Sequence, residues 1–90
     1  MNKNQLVLLA LNCINENRKP SHTEQSRIYV FYKTAIESMD ISVNTFILSL
    51  TQIVDTYEIS IQKRESIFDF LNVHINNAAI KSENRKRNVK

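Results

Sequence analysis

Apolar residues return every three or four positions along most of this chain, the spacing of helices that each bury one face. From Asn4 to about Asn17, Leu6, Leu9 and Cys13 form one set and Val7, Leu11 and Ile14 a second. A first helix with so broad an apolar surface is buried on most sides or shared with a partner. The run Leu6–Leu11 is short enough to read as a strand, but Leu and Ala favour the helix. Pro20 closes this segment, because the residue before a proline is pushed out of the α region. Ser21-His22-Thr23-Glu24 then has the capping-box pattern.

The second helix carries Ile28, Phe31, Tyr32, Ala35 and Met39, with Tyr29 and Ile36 widening the stripe. A strand over Ile28–Tyr32 competes, since these residues are β-branched or aromatic. Asp40-Ile41-Ser42 breaks the pattern, and Ser42 is a good N-cap. The cleanest stripe follows: Val43, Phe46, Ile47, Leu50, Ile53, Val54 and Tyr57, with Asn44, Thr45, Ser49, Gln52 and Asp55 facing water. Ser60 caps a fourth helix with a seam of Ile61, Arg64, Phe68, Leu71, Ile75 and Ala78, flanked by Ile67 and Phe70. Asn76-Asn77 begins a fraying that ends near Lys81. The prediction is an all-α fold, a compact bundle of about four short helices with antiparallel neighbours.

Composition sharpens this picture. The 90 residues contain no glycine and one proline. Glycine supplies the φ > 0 backbone of hairpin turns and phosphate-cradling loops, so a small β-barrel, a P-loop or a Rossmann turn is disfavoured. An apolar content of 42% suits one globular domain. The longest apolar run, Leu6–Leu11, is far below the ~20 residues a bilayer span needs, and it lacks the length and cleavage site of a signal peptide. Cys13 is the lone cysteine; it excludes an internal disulfide, reads as a small buried hydrophobe, and fits a reducing cytoplasm.

Charge divides the chain in two. Residues 1–80 hold seven Lys/Arg against eight Asp/Glu, whereas residues 81–90 hold Lys81, Arg85, Lys86, Arg87 and Lys90 against Glu83. The domain assignment is therefore a near-neutral helical domain over 1–80 and a flexible basic tail over 81–90. Such a tail either solubilises or contacts nucleic acid or an acidic partner, with strong salt dependence.

No constellation predicts catalysis. His22 and His74 have no partner at metal-ligand spacing. Glu65 and Asp69 share a helix face, yet Lys63 and Arg64 beside them make an ordinary solvated surface. A non-enzymatic protein without cofactor or metal is expected. The segment from Ala35 to Phe46 is similar to part of a helix-turn-helix, and its Ser-Val-Asn run resembles the inter-helix turn of ribbon-helix-helix repressors. Asp40 stands where glycine is usual, however, and Asn44–Gln52 offers no Arg or Lys to bases. A packed helix hairpin is the better reading.

Phe46-Ile47-Leu48-Ser49-Leu50, then Asp55-Thr56, then Arg64 with Ile67 and Leu71, resemble the small enterobacterial AriR/YmgB family of biofilm and acid-resistance regulators, connectors of two-component signalling. The resemblance implies a helical homodimer that regulates through protein contacts, with DNA contact as a further expectation; it carries over no functional residue. Two functions are expected from these observations. One is a bacterial regulatory homodimer with tail-assisted DNA contact, its surplus apolar residues Leu6, Leu9, Ile14, Tyr29 and Phe70 covered by a protein partner or second subunit. The alternative is a phage- or plasmid-encoded inhibitor or immunity protein that blocks one target.

Overall fold

The computed structural model describes residues 1–88, and every regular element among them is helical. Helix α1 spans Lys3–Asn15, α2 His22–Tyr32, α3 Val43–Ser49, α4 Thr51–Asp55 and α5 Ile61–Asn88; a π-helical segment, Lys33–Glu37, extends α2. Because α3 and α4 are separated only by Leu50, which keeps right-handed helical dihedrals, the described residues form four helical rods. The strand alternatives for Leu6–Leu11 and Ile28–Tyr32 are not realised: both segments are helical.

Polar side chains start each rod. Asn2 and Gln5 form a reciprocal capping box on α1, each side chain accepting from the other's backbone N–H at 2.8 Å. Ser21 and Glu24 do the same for α2. The hydroxyls of Ser42 and Ser60 accept from the Thr45 and Lys63 amides. Each cap satisfies N–H groups that the helix itself leaves free.

Asparagine and aspartate end the first two rods in place of glycine. Asn17 (φ 52°) and Asp40 (φ 54°) are left-handed. The Arg18 amide donates to the Cys13 carbonyl and the Asn17 amide to Ile14; Ile41 and Asp40 repeat the pattern on Ile36 and Glu37. These are Schellman closures. The first helix therefore ends at Asn15, four residues earlier than Pro20 would require, because Asn17 has already reversed the chain.

The core gathers around α5, which packs against α1, α2 and α3, while α1 also meets α4. Val7, Leu50 and Leu71 are fully buried among Leu6, Ile36, Val54, Ile67 and Ile75. The Tyr57 hydroxyl ties α4's end to α1 by donating to Asn4 Oδ1 at 2.8 Å. Third-helix positions Phe46, Ile47, Leu50 and Val54 are all buried as their spacing predicts.

Three expectations need correction. Met39 is not on the buried stripe: it is 66% exposed, and Ile36 takes the core position. A π turn holds about 4.4 residues rather than 3.6, so the segment rotates Ile36 inward and later residues away. Ile61 stands 76% exposed at the first turn of α5, and the seam begins at Arg64 and Ile67. Finally, the fourth helix does not fray at Asn76-Asn77 or end near Lys81. Both asparagines lie on its exposed side, and it continues to Asn88. At about 42 Å for 28 residues, α5 nearly matches the molecule's longest dimension, 47 Å.

Candidate interaction surfaces

The basic residues singled out from the sequence sit on the last turns of α5, close to α2. Glu37, at the end of the π-helical segment, organises them. Its carboxylate accepts from Lys86 Nζ at 2.7 Å and Lys33 Nζ at 3.2 Å, and from the hydroxyl of Ser82, the one buried polar side chain of the seam. These donors, Lys86 first, hold the Glu37 carboxyl down to about 2, because each stabilises the ionised form. The same bond raises the Lys86 ammonium. Lys81 Nζ and Arg85 Cζ lie 5.0 and 4.6 Å from the Tyr29 ring centroid, within cation–π range. Arg87 faces Glu83 at 4.0 Å.

Residues 81–88 are thus the end of a docked helix rather than a detached tail, and part of their charge is matched within the fold. Strong helix formers and cations at a helix C-terminus favour this continuation locally. Ser82 and Lys86 add tertiary ties to Glu37. Lys90 lies outside the described residues.

A cleft of about 150 Å³ opens between α2 and α5, lined by Gln25, Tyr29, His74, Asn77 and Lys81. His74 rests against Phe70, ring centroids 4.3 Å apart, and burial lowers its pKa. Among the described residues, no group of His, Cys, Asp and Glu is placed to hold a metal ion, and no helix is long and apolar enough to cross a membrane. Cys13 is buried, and burial pushes its thiol up despite the opposing Arg18; it packs as a small hydrophobe, as expected.

The interface assigned from the sequence is redistributed. Leu6 and Leu9 are core residues of the chain itself, because α5 and α4 cover the two faces of α1. Ile14 and Phe70 are half-buried against that core, and Tyr29 is half-buried under Lys81 and Arg85. Arg64 also departs from a simple snorkel. Its Nη2 pairs with Asp55 at 3.0 Å and its Cζ stands 5.6 Å from the Phe68 ring centroid, while Nε is buried without a partner.

Other apolar side chains face water instead: Leu48 (70%), Val30 (59%), Ile80, Val73 and Leu8, besides Met39 and Ile61. Met1, Leu8 and Val30 converge on two adjoining clefts along the α1–α2 face, about 310 and 580 Å³, which share Met1 and Arg27. Leu9 and Phe31 extend the apolar lining, and Thr23, Ser26, Thr34, Gln5 and Asn12 form an uncharged rim. Glu24 also lines it, but Arg18 Nη1 holds that carboxylate at 2.7 Å and keeps it down to about 2. Arg27 is exposed, and among the described residues it has no ion-pair partner. The sequence placed Val30 on no stripe and gave Leu8 no role. Only the approach of α1 to α2 sets them on adjoining clefts that share Arg27.

Comparison with protein-family models, curated proteins and solved structures finds no match.

Proposed function

We propose that this chain is a small, non-enzymatic bacterial regulatory protein that acts as a homodimer through protein–protein contacts, with the basic end of α5 adding a salt-sensitive contact to nucleic acid. The observation that carries this reading is the apolar surface left in water after the core is complete. Ile61, Leu48 and Met39 are each at least 66% exposed. Exposed apolar side chains that adjoin one another mark contact surfaces, and symmetric pairing is the commonest way to cover them. The resemblance to AriR/YmgB-like regulators points the same way.

Size exclusion with light scattering is the test: the expected mass at micromolar concentration is twice the 10.5 kDa chain, and a monomer would remove the dimer. For the nucleic-acid contact, neutralising Arg85 and Arg87 to Gln removes charges that the Glu37 network does not use; because Arg85 also lies over the Tyr29 ring, circular dichroism checks that α5 keeps its helicity. Binding to duplex DNA should weaken for every sequence alike, with a shallower salt slope. Loss confined to one sequence would contradict a backbone contact.

A second reading is favoured by the α1–α2 groove: a phage- or plasmid-encoded inhibitor that seats part of one target protein there. It expects a monomer and a stoichiometric complex, so the same light-scattering measurement separates the two.

A further inference from the structure

We infer that the α1–α2 groove is a docking site for an amphipathic helix of another protein, one that presents a carboxylate near its centre to Arg27. The inference rests on the reading of this chain as a protein that works by contact, and it names the chemistry of the partner.

Three features define the occupant. Apolar side chains recur along it, Leu8 and Leu9 of α1 in one half and Val30 and Phe31 of α2 in the other, with Met1 shared by both; the α2 half is the more apolar, and Gln5 and Asn12 make the α1 half more polar. A guest must therefore bring an apolar stripe. Both walls are helices, whose backbone N–H and C=O groups are already bonded within each helix. They offer no ladder to an extended segment, so the guest has to satisfy its own backbone, and a helix does so. The charge is the third feature. Glu24 is paired with Arg18 and accepts from the Ser21 amide, which leaves Arg27, common to both clefts, as the groove's unmatched side-chain charge among the described residues. A guanidinium where the two clefts meet is best matched by a carboxylate, which it can hold through two parallel hydrogen bonds.

The same residue argues against a second copy as the occupant. An isologous pairing centred on this groove would bring Arg27 against the partner's Arg27, two unneutralised cations in one interface. Like-charge juxtaposition of that kind disfavours the complex.

The experiment is a display selection on the full chain, using peptides of about 18 residues, some five helical turns, with apolar residues at helical spacing and all other positions randomised. Enriched peptides are expected to carry Asp or Glu near the centre. Their affinity should fall at least about tenfold on Val30→Glu and on Leu8→Glu. Both sites are exposed, and circular dichroism checks that each variant keeps its helicity. The same selection on Arg27→Glu should enrich central Lys or Arg instead. The inference is overturned by a selection that enriches nothing, by peptides that bind both groove variants within about twofold of the parent, or by an Arg27→Glu selection that still prefers acids. Light scattering on Val30→Glu supplies the remaining arm: a wild-type dimer should persist, and its conversion to monomer would assign the groove to a second copy and overturn the inference. A monomeric wild type would instead remove the homodimer while leaving the peptide result standing.

Discussion

Asp40 illustrates what single residues contribute to this chain. Its φ of 54° lies in the region where a Cβ normally crowds the following carbonyl, yet it closes α2's π-helical extension as a glycine would. A short side chain tolerates that geometry; a β-branched one does not. Asp40→Val should therefore cost about 1–2 kcal/mol in a urea melt, while Asp40→Gly should leave the midpoint unchanged or raise it. In the core, Leu50 is fully buried, and Leu50→Ala should cost ~2–5 kcal/mol. A loss below about half a kcal/mol in the same melt would show that the third stripe does not hold the core.

At the scale of the element, α5 is the helix on which tertiary contact matters most. Its last turns are tied to Glu37, whose carboxyl is held down to about 2 from an ordinary value of 4.5. A carboxyl whose folded pKa is depressed adds stability that is fully present above its unfolded pKa and lost as pH falls toward the folded value. The docking of residues 81–88 should thus weaken between about pH 4.5 and 2. Circular dichroism melts at pH 7 and pH 3 should show a drop for the parent that is smaller in Glu37→Gln, where the titrating group is gone. The Glu24–Arg18 pair has a carboxyl lowered to the same extent, so it sets the residual pH dependence of that variant. Deleting Lys81–Lys90 would remove Ser82 and Lys86 along with the charges, which is why charge neutralisation at Arg85 and Arg87 is the cleaner probe of nucleic-acid contact.

For the whole molecule, the division between core and surface decides function. The four rods bury Leu6 and Leu9 of α1, so the surplus that remains for partners lies on Leu48, Met39 and Ile61, and along the groove at Met1, Leu8 and Val30. A dimer and a helical partner could thus occupy separate surfaces. A mixed sample of the chain and a groove-binding peptide should then run as one dimer with two peptides in light scattering, whereas competition between peptide binding and dimer formation would place both on one surface.

The caps at Ser21, Ser42 and Ser60, the break at Asp40–Ser42 and the third-helix stripe were legible in the sequence because they depend on neighbours three or four residues away. Ser21 with Glu24, Ser42, Ser60 and the positions from Phe46 to Val54 all belong to that class, and the absence of glycine pointed to helices for the same local reason. What covers each apolar face was decided only by tertiary structure. Periodicity shows that Leu6 and Leu9 must be hidden, and only the packed bundle shows that α4 and α5 hide them. The π-helical segment that exchanges Met39 for Ile36, the latch of Glu37 on Ser82 and Lys86, and the clefts that set Leu8 beside Arg27 join residues that a helical repeat cannot relate. A repeat records which side chains avoid water; three-dimensional packing chooses their company.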